Sequence, residues 1–244
     1  LPRPKGYIGT EELFGVSAQR RDVLRTVSEE DVKALRGARR RRKTEIVLEQ
    51  ATDTLPNSLG DALVSFCLAG GVRILRGLTG KPHTMLVHVS QRTVDQSRIA
   101  DAIRDQLDLW REAERQGQRL EVVFGPVWYG MKAGIDVPAN DEAILKAAVG
   151  VLRELVVLEL NSVTGENLEY DEQPGRHIVA VGGNRLSRGL TLEGLTVSYV
   201  LRTASMCDTL LQMARWYGFR RGYEDLIRIW TTDGIACWFS ELAL

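Results

Sequence analysis

The stretch "HIVAVGGNRLSRGLTLEGLTVSYVL" (residues 177–201) decides how this chain folds. It contains two short apolar runs, "HIVAVGG" (177–183) and "LTVSYVL" (195–201), joined by a polar, glycine-punctuated segment. A half-exposed strand alternates apolar and polar residues, whereas a strand covered on both faces reads as a nearly continuous apolar run. Both runs are of the second kind. Three more share the character: "TMLVHVS" (84–90), "LVVLELN" (155–161) and "DLIRIWT" (225–231). Helical spacing fills the intervals at roughly 93–117, at 140–154 and at about 206–217. The second of these opens with Asn140 and two acids, a cap followed by charges that suit the helix dipole. "EVVF" (121–124) reads as a weak strand or a turn. Strands alternating with helices predict an α/β fold with a parallel sheet flanked by helices.

Ahead of this lies a different composition. Residues 1–19 are irregular, with proline and glycine punctuation. A helix is expected from Ser28, where "SEED" supplies a cap and first-turn acids and "VKALRGARRRRK" supplies basic residues further on. "PNSLGDALVSFCLAGGVRILRG" (56–77) follows with apolar residues at helical spacing, so 20–79 reads as mostly helical. The expected division is an N-terminal arm and helical segment over 1–80 and a main lobe over 81–244. The start at Leu1, inside "LPRPKGYIG", is that expected of a piece of a longer protein.

The 244 residues, 44% hydrophobic and 26% charged, have the balance of a soluble globular chain. No apolar run approaches the roughly 18 residues of a spanning helix, so no membrane partner is expected. Cys67, Cys207 and Cys237 are too few and too scattered for a disulfide framework or a zinc site, and His83, His88 and His177 have no ligand spacing. No metal-ligating residue is assigned, and reduced cysteines in a cytoplasmic protein are expected. Net charge is zero but uneven, at +6 over residues 1–43, −7 over 44–180, +3 over 181–230 and −2 over 231–244. The two basic regions point to a polyanionic partner. Arg39–Arg42 with Lys43 reads either as a solvated helix face or as phosphate contacts, each adding about 0.9 to the salt slope of duplex binding.

In open parallel sheets ligands bind at the carboxyl ends of strands. The loop just past 177–181, "GGNRLSRGLTLEGL", is therefore a candidate site. Gly182 and Gly183 allow close backbone approach, and Asn184, Ser187 and exposed amides suit phosphate oxygens. Arg188 and Gly189 set a charge beside a flexible point; a purely structural turn is the alternative. A second candidate is "QMARWYGFRRGY" (212–223), with Arg215, Arg220 and Arg221 among four aromatics. Guanidinium groups bind phosphate with a planar fork, and arginines from another lobe stabilise phosphoryl charge in the transition state. The alternative is a basic loop paired with Asp208, Glu224 or Asp225.

In order, the glycine-rich loop, "RGLTLEGL", a strand and "DTLLQMARWYGFR" resemble motifs five and six of superfamily two helicases. "SRGLTLE" is similar to that family's "ARGLDIP", and "QMARWYGFR" to its "QRxGRxxR". "TMLVHVS" with "QRTVDQ" is similar to motif four. Nearly the whole chain, most densely residues 180–232, resembles the domain called "Z-one", named as an endonuclease, of bacterial superfamily two helicase-like proteins in defence and restriction systems.

The resemblance implies a RecA-like second helicase lobe of P-loop NTPase type. It implies ATP and magnesium, bound mainly by an absent first lobe. It also implies as partners DNA, with RNA as the alternative, the first lobe and defence-system subunits. The finger is Arg215 or Arg220, with Arg221 third. Gln212, Arg221, Gly189 and Thr191 would meet the nucleotide. Ser90, Gln91, Gly183, Asn184, Ser187 and Arg188 would meet nucleic acid. Thr191 stands where the family has aspartate, Ala214 where it has glycine, and Arg215 and Arg220 are further apart than usual. "GLTGKPH" (77–83) imitates a phosphate loop, but its spacing is short and Pro82 occupies the Ser/Thr position. Without that loop or an acidic box, the chain alone is expected to be inactive as an ATPase. The alternatives are a non-catalytic nucleic-acid or protein binding module, or an endonuclease, although "LEL" (158–160) has no lysine partner.

Overall fold

The computed structural model describes residues 23–37, 55–161, 168, 170, 175–183, 192–201 and 222–242, with backbone alone for 238–242. Its centre is a six-stranded, wholly parallel sheet. In chain order the elements are β1 (Leu24–Thr26), α1 (Glu29–Gly37), α2 (Asn57–Leu75), β2 (His83–His88), α3 (Thr93–Arg115), α4 (Glu121–Met131), α5 (Asp141–Glu154), β3 (Val156–Leu160), β4 (His177–Gly182), β5 (Leu195–Val200), β6 (Arg228–Thr231) and α6 (Asp233–Leu242). The strand order is β1-β6-β5-β2-β4-β3. The five apolar runs are five of these strands, and β2, β4, β5 and β6 are buried along their whole lengths. The α/β class with helices flanking a parallel sheet is as read from the sequence.

One face of the sheet carries the larger core, in which Met85, Val87, Val179, Val181, Val197 and Tyr199 meet α2, α3, α4 and α5. The other gathers Leu86, Leu160, Ala180, Val200 and Ile229, with Ile235 of α6. The helix at 206–217 and the basic run at 39–43 lie outside the described residues.

Three sequence expectations are corrected. "EVVF" is neither strand nor turn but the first turn of α4, because Phe124, Trp128 and Met131 recur at helical spacing and bury one face. Within the span read as mostly helical, Leu24–Thr26 is a strand. It is three residues long, too short to show a period, and is fixed by parallel pairing with β6. The absence of a long apolar run is also corrected: α2 has 19 residues and a mean hydropathy of 1.5, enough by length and composition to cross a membrane. Here 72% of that window is buried inside the fold, because other helices and the sheet surround it.

The close fit of α2 depends on its paired glycines. A Cβ on Gly71 would stand 2.8 Å from the Ala148 amide nitrogen of α5, and one on Gly70 would stand 2.9 Å from both the His83 ring and Val151. Glycine inside a helix costs about 1 kcal/mol relative to alanine. Here it lets two helix backbones touch. α5 is held at its start by the Asn140 side chain, which accepts from Ala143 N at 2.9 Å, and Asp141 accepts from Trp128 Nε1 at 2.7 Å. α2 has no side-chain cap of its own; Asp31 of α1 accepts from Ser58 N at 3.1 Å.

The amino edge of the sheet is tied by buried polar groups. Arg73 of α2 donates to Pro82 O and to Gly194 O, joining the segments that lead into β2 and β5. Gly194 has φ +64, and any Cβ there would overlap Pro82 O at 1.8 Å. His83 stacks on Phe66 with centroids 4.0 Å apart. Its Nδ1 meets His177 Nδ1 at 2.8 Å and its Nε2 meets Thr196 Oγ1 at 2.9 Å. Two ring nitrogens at that distance share one proton. Burial first, and then the Arg73 charge, push His177 down to about 4 and His83 well below its ordinary value.

Two predictions follow from this packing. Gly71→Ala should destabilise the fold by about 1–3 kcal/mol through overpacking, whereas Gly150→Ala in α5, where a Cβ meets nothing within 4 Å, should stabilise it by about 0.4–1 kcal/mol. Urea denaturation of the two variants should show opposite signs. The histidines bind protons less readily folded than unfolded, so their contribution is complete above about pH 6.5 and is lost as pH falls toward 4. Denaturation midpoints should drop across that window, and less steeply in His177→Gln.

Candidate functional site

All six strands being parallel, their carboxyl ends share one edge. β2 lies between β4 and β5, hydrogen-bonded to both. The chain crosses from β4, on one side of β2, to β5, on the other. This is a topological switch point, where open α/β sheets bind ligands. Three strand exits therefore meet: Val89–Gln91 after β2, Gly183 after β4 and Leu201 after β5. Leu201 N donates to His88 O at 3.1 Å, and His88 Nδ1 donates to Gly182 O at 2.9 Å. This second bond puts the His88 proton on Nδ1 and locks the three exits together.

Ser90 organises the turn from β2 into α3. Its Oγ donates to Asp95 Oδ2 at 2.7 Å and accepts from Arg92 N at 3.1 Å. Its carbonyl accepts from Gln96 Nε2 at 3.0 Å. Gln96 is buried, and its Oε1 has no hydrogen-bond partner among the described residues. Gly183 packs directly on this network: a Cβ there would stand 2.3 Å from Gln96 Nε2 and 3.3 Å from Ser90 O. The requirement at Gly183 is thus close backbone approach to a neighbouring turn.

Of the residues singled out from the sequence, the structure brings Ser90, Gln91 and Gly183 to this one edge. Asn184, Ser187, Arg188, Gly189, Thr191, Gln212, Arg215, Arg220 and Arg221 lie outside the described residues. His88, Asp95 and Gln96 were given no individual role from the sequence, although all three lie in the motif-four-like stretch formed by "TMLVHVS" and "QRTVDQ".

The residues that would bear on metal or nucleotide chemistry are otherwise engaged. Glu159, the acid of "LEL", accepts from Ser97 Oγ at 2.7 Å and from Arg104 Nη1 at 2.9 Å. Among the described residues no group of three or more His, Cys, Asp or Glu side chains is placed to hold a metal. "GLTGKPH" leads into β2 at the amino edge, whereas a phosphate loop follows its strand at the carboxyl end. The described residues alone do not fit a nucleotide with its magnesium. Burial pushes the Cys67 thiol up to about 12, which leaves it inert.

Compared with known proteins, a family model described as Z1 domain matches residues 58–244. No curated protein and no solved structure matches the chain.

Gly183→Ala should displace the Gln96 amide from Ser90 O, at a cost of about 1–3 kcal/mol. The same substitution in a Gln96→Ala background removes the colliding atom and should cost less. A double-mutant cycle by urea denaturation measures that difference; additive costs would rule out the contact as its source.

Proposed function

The chain belongs to the Z1 domain family, and from this we propose that it forms the second motor lobe of an ATP-dependent DNA helicase or translocase. The observation that carries this reading is the placement of β2 between β4 and β5 in an all-parallel sheet. It puts the end of the motif-four-like strand beside the start of the motif-five-like loop, on the edge where such sheets hold ligands. Ser90, Gln91 and Gly183 would then face the nucleic acid backbone, continued by Asn184, Ser187 and Arg188. Arg215 or Arg220, with Arg221, Gln212, Gly189 and Thr191, would serve the nucleotide cleft. ATP and magnesium belong mainly to a first lobe, and the chain by itself is inactive as an ATPase. DNA, that first lobe and subunits of a restriction or phage-defence system are the partners, in the cytoplasm.

A second reading is favoured by Thr191 and Ala214, which replace the aspartate and glycine usual in the helicase motifs. On it, the lobe binds nucleic acid or a protein partner without driving ATP turnover. The endonuclease reading has no such support, since Glu159 is committed to Ser97 and Arg104.

The two readings separate on the full-length protein. Arg220→Ala should lower DNA-stimulated ATPase by about 10³-fold or more, the scale of an arginine finger, with DNA affinity and the unfolding midpoint retained. Unchanged turnover in Arg220→Ala and in Arg215→Ala would favour the binding module.

A further inference from the structure

The end of α2 carries two arginines that grip the chain just beyond the arginine-rich stretch. Gly222, Tyr223, Glu224 and Asp225 follow Arg220 and Arg221 directly and lead toward β6. Arg76, the residue that ends α2, closes a fork on Asp225, with Nη1 2.8 Å from Oδ1 and Nη2 2.5 Å from Oδ2. Its Nη1 also donates to Gly222 O at 3.1 Å. Its Nε donates to Asp136 O at 2.9 Å, and Nη2 bonds the same carbonyl. One guanidinium therefore joins α2, the connection between α4 and α5, and residues 222–225. A turn earlier in α2, the Arg73 guanidinium lies 4.5 Å from the centroid of the buried Tyr223 ring.

This fork is more than a surface ion pair. The side chains of Arg76 and Asp225 are only 15% and 24% exposed. A planar guanidinium on a carboxylate fixes orientation as well as distance. The turn into β6 already has bonds of its own, from Leu226 N to Tyr223 O at 3.1 Å and from Gly222 N to Glu224 Oε2 at 3.0 Å. Arg76 adds what those lack, a tie from the turn to a different and deeply packed helix. Two residues of chain span at most about 7 Å. The Cα of Arg220 lies within that reach of Gly222, so whatever fixes Gly222 limits where the Arg220 and Arg221 side chains begin.

We propose that Arg76 and Asp225 are positioning residues for the arginine finger, holding the exit of "QMARWYGFRRGY" so that its guanidinium meets the transferring phosphoryl group. This rests on the motor-lobe reading, in which Arg215 or Arg220 serves the nucleotide. Misplacing a reacting or stabilising group by 1 Å can cost on the order of 10²-fold in rate.

Steady-state ATPase kinetics of the full-length protein with DNA test this, at a temperature where urea denaturation shows every variant to be folded. Asp225→Asn keeps the shape of the side chain and removes its charge. Arg76→Lys keeps the charge and removes the fork. Each should lower kcat by about tenfold to a hundredfold, with KM for ATP and Kd for DNA unchanged. Arg153→Gln breaks the ion pair with Glu114 between α5 and α3, and should keep the parent kcat. In the background of whichever of Arg215→Ala and Arg220→Ala lowers turnover, Asp225→Asn should cause no further loss, because the group it positions is gone. Parent kcat in both Asp225→Asn and Arg76→Lys, an equal loss in Arg153→Gln, or losses that multiply in the double variant would overturn the positioning role while leaving the finger in place. Parent turnover in both Arg215→Ala and Arg220→Ala would instead remove the finger, and the positioning role with it.

Discussion

The position of β2 is the constraint from which the rest of the structure follows. Its main chain bonds to β4 on one side and to β5 on the other, with a shift in register on the β5 side between Thr84 and Met85. A strand in that position exposes no edge and both its faces are covered, so its residues from His83 to His88 are all buried. Parallel pairing then gives the sheet two chemically distinct edges, one where every strand starts and one where every strand ends. The switch from β4 to β5 across β2 opens a crevice at the second edge only. A candidate site could be located there from topology before any side chain was considered.

Each edge is secured by polar groups buried beside the strand ends. At the carboxyl edge, His88 bonds Gly182 O, and Ser90, Asp95 and Gln96 bind the turn that Gly183 packs against. At the amino edge, Arg73 spans the approaches to β2 and β5, and the His83–His177–Thr196 chain joins β2, β4 and β5. Buried polar groups of this kind are costly unless paired, so they favour one arrangement of strands over others of similar apolar burial. The same pairing makes the amino edge sensitive to acid, because the histidine contact has room for one shared proton.

The helical layer follows a different logic. α2 is apolar enough to cross a membrane by composition, yet glycine at 70 and 71 shapes it for contact with α5 and the His83 ring. Those glycines lower helix propensity, and the gain is a backbone-to-backbone crossing that larger residues would block. α4 illustrates the converse. Its apolar residues could have served a strand, and burial of Phe124, Trp128 and Met131 on one face decided for the helix.

By itself the sequence determined the class of fold and five of its strands, because strands covered on both faces must be apolar throughout and "HIVAVGG" and "LTVSYVL" announce it. It also marked Gly183, since strand ends in a parallel sheet are where ligands bind, whereas Ser90 came only from the likeness to motif four. The tertiary structure decided what local pattern cannot carry. β1 is too short to have a period and exists through its pairing with β6. Gly183 is required by a turn contributed from ninety residues earlier in the chain. His88, Asp95 and Gln96 acquire their roles from partners on other strands and turns. Contacts between segments remote in sequence leave no period in either, so only the folded chain reveals them.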